Sequence, residues 1–251
     1  MTRYVPKEYW ETRLKSRFDL TGVGNIGFST KYNDYLYRLQ SNVLKKALKR
    51  HKVPLKDRNV LDIGCGTGFF SRFYIGQSAD VTGVDITSTS IEMLKESLPQ
   101  GKFLTFDITS DIPLKKDLAG SSFDLINVFG ILYHIVDDSS FKKAMDNICG
   151  LLNKGGYLII SDFFGDKNFI PANHVKFRAI ENYGMLEQAG IKVLEVAPIY
   201  HFMNRRLKGF SMENNNRLAP VLYAMDVIIN GLGIFKGKDI RLLIAKKSET
   251  I

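Results

Sequence analysis

Short apolar runs alternate with helix-length segments through the middle of this 251-residue chain, and this alternation restricts the fold more than any other feature. Strands are predicted at 60–63, 81–84, 102–106, 123–129 and 156–161, with helices at 68–76, 88–97 and 139–152. The fourth run is apolar at nearly every position, which is typical of a strand covered on both faces. Strands and helices in alternation predict a doubly wound α/β domain with a mostly parallel sheet.

The two ends of the chain extend this pattern less regularly. A helix over 34–50 is predicted, with Asn33 as its N-cap, and a second over 173–189 that ends at Gly190. Two further strands are predicted at 191–200 and 240–246. Residues 1–33, rich in aromatic side chains and glycine, are predicted as an irregular, lid-like N-terminal segment. The remaining 34–251 would then form the main domain, with an insertion at about 201–239.

The insertion contains an apolar segment for which two interpretations remain open. Pro220 could begin a helix and Gly231 could end it, with Asp226 and Asn230 as its polar interruptions. A helix apolar around most of its circumference is normally buried, here over the end of the sheet or in a dimer interface. Alternatively it caps the site of an apolar or lipid-linked substrate. The preceding basic cluster, 205–208, would then contact phosphate or a membrane surface.

The strongest local motif is a glycine-rich turn between the first strand and the helix that follows it. Residues 60–68 read Val-Leu-Asp-Ile-Gly-Cys-Gly-Thr-Gly, in which Asp62 precedes three alternating glycines. Glycine lets such a turn bend sharply and approach a ligand closely. The spacing differs from the G-x-G-x-x-G of dinucleotide sites, and the absence of a following G-K-[ST] excludes a P-loop.

Acidic residues follow the next two strands. Asp85 ends the second strand, where a carboxylate can accept hydrogen bonds from both hydroxyls of a ribose. NAD enzymes share this feature, so Asp85 alone does not identify the ligand. Asp107 follows the third strand, where it could accept from an adenine amine. The alternative for Asp107 is a carboxylate that only caps a turn.

Together with the segments 123–135 and 151–157, these motifs resemble the class I S-adenosylmethionine-dependent methyltransferase family over about residues 34–200. The resemblance implies S-adenosylmethionine as cofactor and a seven-stranded sheet whose last strand is antiparallel. It places the cofactor's amino-acid end on Asp62 and on the loop backbone. It further implies the following contacts: Gly64, Cys65, Gly66 and Gly68 in that loop, Asp85 at the ribose, Ile86 packed on adenine, Asp107 and the Ile108 N–H at the adenine edge, and Phe129 at the end of the fourth strand.

His134 lies just past the fourth strand, at the edge of the sheet where ligands of open α/β folds bind. An imidazole there could remove a proton from an acceptor hydroxyl, since its ordinary pKa lies near neutrality. The alternative is a histidine that only packs or lines the site. The neighbouring pair Asp137 and Asp138 is better explained as a helix start than as a metal site, and no metal is expected.

The methyl acceptor is predicted largely by exclusion. No Asn-Pro-Pro-aromatic tetrapeptide follows the fourth strand, which disfavours nucleic-acid bases, and a pair of glutamates typical of protein-arginine methylation is missing. We therefore expect a small-molecule, sugar or lipid-linked acceptor, methylated at oxygen, with possible peripheral membrane contact. The alternatives are a non-catalytic S-adenosylmethionine-binding protein and an NAD-dependent oxidoreductase.

The composition of the chain indicates its cellular compartment rather than its chemistry. The chain carries 35 Lys and Arg against 26 Asp and Glu, for a net charge of +9, spread along its length. Its two cysteines, Cys65 and Cys149, cannot form a disulfide framework, which indicates a reducing compartment. With no signal-peptide core and no apolar run of about 18 residues, we expect a cytoplasmic protein. The oligomeric state is not predicted.

Overall fold

The computed structural model describes residues 4–110, 122–233 and 239–249. The strands in these ranges are β1 (Asn59–Ile63), β2 (Asp80–Asp85), β3 (Lys102–Thr105), β4 (Phe123–Phe129), β5 (Leu152–Asp162), β6 (Phe169–Ala172), β7 (Val175–Phe177), β8 (Ile191–Pro198) and β9 (Arg241–Lys247). Seven of them form one sheet in the order β3-β2-β1-β4-β5-β9-β8. The first five of these pair in parallel, and β9 is antiparallel to both of its neighbours. The predicted doubly wound, seven-stranded fold is confirmed.

Helices cover both faces of this sheet. They are α1 (Pro6–Ser16), α2 (Leu20–Val23), α3 (Thr30–Arg50), α4 (Phe69–Ile75), α5 (Ser88–Ser97), α6 (Asp138–Leu151), α7 (Met185–Gln188) and α8 (Met212–Leu232), with 3₁₀ turns at Leu132–His134 and Ile180–Tyr183. On one face, Met145 and Ile148 of α6 are buried against the central strands. On the other, Leu44 of α3 and Tyr74 of α4 are buried. Each face of the central strands is thus covered, which explains their nearly continuous apolar sequence.

The N-terminal segment is helical rather than irregular, contrary to the prediction for 1–33. Pro6 begins α1, where a proline loses no helical hydrogen bond. The N-cap of α3 is Ser29, whose hydroxyl accepts from the Tyr32 N–H at 3.2 Å, and not Asn33. Asn33 is buried instead, and its amide donates to the carbonyls of Asn25 and Ser29 at 3.0 and 3.1 Å. A side chain that holds the preceding loop therefore resembled a cap in the sequence.

The predicted helix at 173–189 is wrong. Antiparallel β6 and β7 form a hairpin there, followed by a 3₁₀ turn and the four-residue α7. Phe177 of β7 stacks on Phe163, with ring centroids 5.1 Å apart, and packs on Phe169 of β6. These tertiary contacts with residues outside 173–189 favour a strand, although the apolar residues of the segment have helical spacing. Gly190 does follow α7 with the expected left-handed φ of 70°.

The insertion also folds differently in detail. α8 begins at Met212 with Ser211 as its N-cap, contains Pro220 in its interior, and ends at Gly233 rather than at Gly231. Asp226 is buried and accepts from the Phe202 and Met203 N–H groups at 2.8 and 3.1 Å. Residues 234–238, at the end of the predicted insertion, lie outside the described residues.

One side of α8 is exposed in the single chain, so the fold buries only part of this apolar helix, and the dimer-interface interpretation stays a prediction. Val221, Met225, Ile228 and Leu232 are 54, 38, 60 and 62% exposed. The other side packs mainly on α3. No described residue of α8 lines the large cavity described below, which contradicts the cap interpretation. Among the described helices, none has both the length and the apolar character that a bilayer crossing requires.

Candidate functional site

The carboxyl ends of β1 to β4 open into one cavity of about 1290 Å³. Its wall also includes residues of α1, the loop between α2 and α3, and the β6–β7 hairpin. Pockets for a single drug-sized ligand usually span about 300–1,000 Å³. The volume is therefore sufficient for a second molecule beside a nucleoside cofactor.

The loop between β1 and α4 requires glycine at two positions that face the cavity. Gly64 and Gly66 have φ of 68° and 51°, in the left-handed region. A Cβ on Gly64 would lie 2.1 Å from Ile131 Cδ1, and one on Gly66 would lie 3.0 Å from Val23 Cγ1. The N–H groups of Gly64 and Cys65 both donate to the Val84 carbonyl, at 2.7 and 3.0 Å.

Not every residue of the predicted loop has the same role. Gly68, with φ 78°, precedes α4 and does not line the cavity; a Cβ there would lie 2.5 Å from Leu94 Cδ2. Its glycine is explained by packing against α5 rather than by ligand approach. Cys65 does line the cavity, while its side chain is buried.

Asp62 is buried at the end of β1 and lines the cavity. Its Oδ2 accepts from the Ser71 hydroxyl at 2.6 Å and its Oδ1 from the Asn127 amide at 2.7 Å. The Tyr74 hydroxyl in turn donates to Asn127 Oδ1 at 3.1 Å. Burial raises the pKa of Asp62 to about 6, against the effect of these hydrogen bonds. The carboxylate thus ties β1, β4 and α4 together below the glycine loop.

Asp85 is engaged with the chain on both of its oxygens. Oδ2 accepts from the Gly66 N–H at 3.0 Å, and Oδ1 accepts from the N–H and the hydroxyl of Thr87 at 2.9 and 2.7 Å. Burial raises the pKa of Asp85. A carboxylate has about four lone-pair positions, so a ribose bound at two hydroxyls would have to displace one of the three internal bonds. Asp85 therefore holds the glycine loop in addition to its predicted ligand role.

Asp107 follows β3 and closes a turn with one oxygen. Its Oδ1 accepts from the N–H and the hydroxyl of Thr109 at 2.8 and 2.7 Å. Both interpretations of this residue are therefore compatible with the geometry, because a turn cap through Oδ1 leaves Oδ2 for a ligand. Ile86 and Ile108 line the same part of the cavity.

His134 lines the cavity beside Phe129 and next to α1. Its ring meets Trp10 edge-on at a centroid distance of 4.9 Å. Nδ1 lies 2.8 Å from the carbonyl oxygen of His174 in the β6–β7 turn. Because a carbonyl only accepts, Nδ1 carries the proton and Nε2 is the acceptor. Burial lowers the pKa of His134 to about 4, so the ring is neutral at pH 7.

Arg178 was not among the predicted site residues, yet it holds the segment that carries His134. Arg178 is 1% exposed, and its guanidinium donates to the Ile135 carbonyl at 2.8 Å and to Asp138 at 2.9 Å. The guanidinium also lies over the Phe141 ring. No local pattern around position 178 indicates this role, since its partners lie about 40 residues earlier.

A second missed residue, Glu11, attaches α1 to the cofactor side of the fold. Its carboxylate accepts from the Ser88 N–H at 2.9 Å and from the Thr89 hydroxyl at 2.6 Å, at the N-terminus of α5. Despite partial burial, these bonds lower the pKa of Glu11. Thr87, the N-cap of α5, gives its hydroxyl to Asp85. Glu11 therefore caps α5 from another helix.

Metal chemistry has no evident location in the described part of the chain. Asp137 is the N-cap of α6, where it accepts from the Ser140 N–H at 2.7 Å, and Asp138 pairs with Lys176 and Arg178. No group of three or more potential metal ligands occurs among residues 4–110, 122–233 and 239–249.

Comparisons with known proteins agree with this geometry. Residues 54–202 match the family described as a methyltransferase domain. A ubiquinone biosynthesis O-methyltransferase of Coxiella burnetii (strain Dugway 5J108-111) is 32% identical over 119 residues, covering 47% of this chain and 48% of that protein. A tRNA U34 carboxymethyltransferase of Tolumonas auensis is 30% identical over 148 residues, covering 54% and 42%. The chain spans about half the length of the curated relatives it matches.

The fold is shared over nearly the whole chain. The crystal structure of magnesium protoporphyrin IX methyltransferase from Synechocystis PCC 6803 with bound SAH superposes with a TM-score of 0.62 and 16% identity, covering 96% of this chain and 98% of that one. The family match spans more than half of the sequence and includes the glycine loop, Asp85 and Asp107. The chain therefore belongs to the class I methyltransferase family, whose cofactor is S-adenosylmethionine.

Proposed function

We propose that this protein transfers a methyl group from S-adenosylmethionine to an oxygen atom of a small-molecule acceptor. One observation carries the proposal. A single cavity joins the glycine loop, Asp85 and Asp107 to a second region whose side chains have no assigned cofactor contact. We call the first region the cofactor half. The second, the acceptor half, comprises Tyr133, Phe163, Phe169, Phe177, Tyr200, Asn204 and Asp239.

The cofactor half provides the groups that such a ligand needs. Asp62 and the loop backbone at Gly64 and Gly66 would face its amino-acid end, and Asp85 its ribose. Asp107, the Ile108 N–H and the Ile86 side chain would meet adenine, and Phe129 would contact the cofactor from the end of β4. When bound, S-adenosylmethionine supplies a methyl group already activated by a sulfonium. The chain's own task is then to position the acceptor, which can supply about 7–11 kcal/mol.

His134 is the proposed base for an acceptor hydroxyl. The His174 carbonyl fixes its tautomer and leaves Nε2 unprotonated. Its pKa of about 4 keeps the ring neutral at pH 7 but makes it a weak base, so we expect a contribution near the lower end of the usual 10²–10⁴-fold range. The O-methyltransferase relative supports oxygen as the methylated atom.

Transfer of labelled methyl groups tests this proposal. The purified protein is incubated with S-adenosylmethionine labelled in its methyl group and with phenols, sugars, lipid-linked alcohols or tRNA. We expect S-adenosylhomocysteine to bind in calorimetry and the label to appear in a small molecule. Label in tRNA would contradict the acceptor class, and binding of NAD instead would contradict the cofactor. Cofactor binding without turnover of any acceptor would favour a non-catalytic binding protein.

The proposal includes contact with an anionic membrane, supported by the exposed side of α8. Val221, Met225 and Ile228 repeat at helical spacing on that side. At the C-terminal end of the helix, a Cβ on Gly231 would lie 4.0 Å from Lys46 Nζ. An apolar stripe with a cation beside it is a feature of helices that lie in a membrane surface.

Vesicle sedimentation tests this contact. Phosphatidylglycerol vesicles should retain the wild type in a salt-dependent manner, whereas pure phosphatidylcholine should not. Ile228→Glu should weaken retention. Ile170→Glu, at a comparably exposed apolar position of β6 (66% against 60% for Ile228), serves as its control. Equal retention of both variants would exclude the α8 stripe.

A further inference from the structure

The wall of the acceptor half is formed by aromatic rings from three parts of the chain. Phe163, just past β5, stacks on Phe177 of β7 at a centroid distance of 5.1 Å. Phe169 of β6 meets Phe163 edge-on at 5.0 Å. Tyr133, next to His134, lies 5.4 Å from Phe177. Aromatic faces of this kind favour a flat, apolar partner.

Asp239 places a carboxylate in the same region. Because β9 is antiparallel to the other strands of the sheet, Asp239 and Ile240, just before it, lie at the edge where β1 to β4 open into the cavity. Asp239 Oδ1 accepts from the Ile240 N–H at 2.7 Å and from the Asn204 amide at 3.1 Å. The side chain lines the cavity. Both hydrogen bonds use the same oxygen, and no residue of the described ranges donates to Oδ2, which could accept from a ligand.

Among the described residues, no cation pairs with this carboxylate at close range. Asp239 forms no ion pair with a Lys, Arg or His of residues 4–110, 122–233 and 239–249, and Arg205 acts on it only as a more distant charge. Burial raises the pKa of Asp239. Asp239 is half-buried, and a carboxylate withdrawn from water in this way without a paired cation is costly unless hydrogen-bond donors satisfy it. A donor group on a bound molecule would complete its partners.

The hydroxyl groups of Tyr133 and Tyr200, in the same region, stay neutral and can form hydrogen bonds with a neutral polar group. Burial, and the Asp239 charge to a smaller extent, raise the pKa of both Tyr133 and Tyr200 above the usual range. Both hydroxyls therefore remain protonated at neutral pH. Gln40 donates to the Tyr200 hydroxyl oxygen at 2.5 Å, which orients that group.

We propose that Asp239 selects the acceptor by accepting a hydrogen bond from a hydroxyl or amino group on a flat aromatic body, which packs on Phe163 and Phe177. This inference rests on the proposed function, because it assigns the acceptor half of that site. Asp239 is a specificity-determining residue in this scheme, and the proton transfer remains with His134. The acceptor would thus be a hydroxylated or aminated aromatic compound rather than a sugar.

Matched probes separate the two contacts. Calorimetry on protein saturated with S-adenosylhomocysteine compares 2-naphthol with 2-methoxynaphthalene, which shares the rings but lacks the donor. A 2-(aminomethyl)naphthalene arm distinguishes an amino from a hydroxyl donor. Of 2-naphthol and 2-(aminomethyl)naphthalene, we expect the tighter-binding one to bind the wild type about tenfold or more tightly than 2-methoxynaphthalene does. A hydrogen bond to a charged group contributes a difference of this size.

Two variants then test which residue causes the donor preference and which binds the aromatic rings. Asp239→Asn keeps an acceptor for Ile240 and Asn204 but presents an N–H donor to the ligand, so the preference for donor probes should fall to about threefold or less. Phe177→Leu should weaken all the naphthalenes alike. Asp80→Asn, an exposed carboxylate at the far end of β2, is the control. Asp239→Ala replaces Asp239→Asn if the latter fails to fold.

The outcomes are distinguishable. An Asp239→Asn variant that binds S-adenosylhomocysteine normally and keeps the full donor preference would overturn the inference. So would a wild type that binds S-adenosylhomocysteine but none of the naphthalenes. Absence of S-adenosylhomocysteine binding in the wild type would instead remove the proposed function itself.

Discussion

The two halves of the cavity are built by different means. In the cofactor half, each polar group lies at or just past the end of a parallel strand, as Asp62, Asp85 and Asp107 do. In the acceptor half, the side chains come from the segment after β4, the β6–β7 hairpin and the start of β9, including Tyr133, Phe177 and Asp239. The first half is thus positioned by one repeated structural rule, and the second by contacts between segments far apart in sequence.

This difference indicates which changes each half should tolerate. Carboxylates of the cofactor half also hold the fold, because Asp62 and Asp85 accept several internal hydrogen bonds. Substitutions there should alter binding and stability together. Substitutions in the acceptor half should alter acceptor choice while the cofactor still binds. The following experiments test this contrast.

The largest effect is expected at the glycine loop. Gly66→Val forces a β-branched residue into a left-handed conformation and brings its side chain against Val23. We expect S-adenosylhomocysteine binding to fall below detection in calorimetry. Gly150→Val is the control, since a Cβ at this exposed helical position meets no atom within 4 Å. A folded Gly66→Val variant with wild-type affinity would exclude the loop from the cofactor site.

Asp62 should make stability depend on pH in the cofactor half. Its pKa is raised to about 6 in the folded protein, so its contribution to stability is full at low pH and is lost as pH rises through 6. Relative to Asp62→Asn, the wild type should lose about 3 kcal/mol of unfolding free energy between about pH 3 and pH 7. Denaturant unfolding at several pH values measures this. A difference independent of pH would contradict the assignment.

His134 should separate catalysis from cofactor binding. His134→Ala should lower kcat by about 10²-fold while the affinity for S-adenosylhomocysteine changes little. Because the pKa of His134 is about 4, the wild-type rate should show no histidine titration between about pH 6 and 8. His51→Ala, a histidine bonded to Glu195, is the control. A loss of kcat below about tenfold at every pH would leave positioning as the mechanism.

The smallest effect is expected where Glu11 attaches α1 to α5. Glu11→Gln weakens the cap on α5 and should cost about 1 kcal/mol. Hydrogen exchange should show faster opening of α1, with little change in the core strands. Glu92→Gln, at an exposed position of α5 itself, should leave α1 unchanged. Equal exchange in both variants would show that the Glu11 bonds do not hold α1.

The success of prediction from sequence follows the same division. The strands predicted at 60–63, 81–84 and 123–129 agree with β1, β2 and β4 to within one residue at each end. Strands of a buried parallel sheet have nearly continuous apolar sequences, which makes their bounds easy to predict. The helix at 173–189 and the cap at Asn33 were wrong. In both cases a side chain takes part in contacts that its neighbours in sequence do not reveal, Phe177 with Phe163 and Asn33 with the loop before it.

The candidate site divides likewise. The glycine loop and the acids after β2 and β3 follow from local spacing. Glu11 and Arg178 have no local signal, because their partners lie on other elements. Asp239 did have one: a polar residue directly before an antiparallel last strand must lie at the ligand-binding edge. The same reasoning could identify comparable residues in other chains of this fold.

The contacts of Arg178 also constrain how the chain can evolve. Its buried guanidinium satisfies backbone carbonyls next to His134, and Asp138 provides its negative partner from a largely exposed position. Loss of Asp138 would leave the buried guanidinium of Arg178 without its negative partner, whereas loss of Arg178 would leave the carbonyl groups without a hydrogen-bond donor. Among descendants of this sequence, we therefore expect positions 138 and 178 to change together or not at all, with lysine a poor intermediate because it lacks the planar, forked geometry of arginine. The β6–β7 hairpin and the segment after β4 would then evolve together. Relatives that bind the same cofactor could differ in both segments at once, but not in one alone.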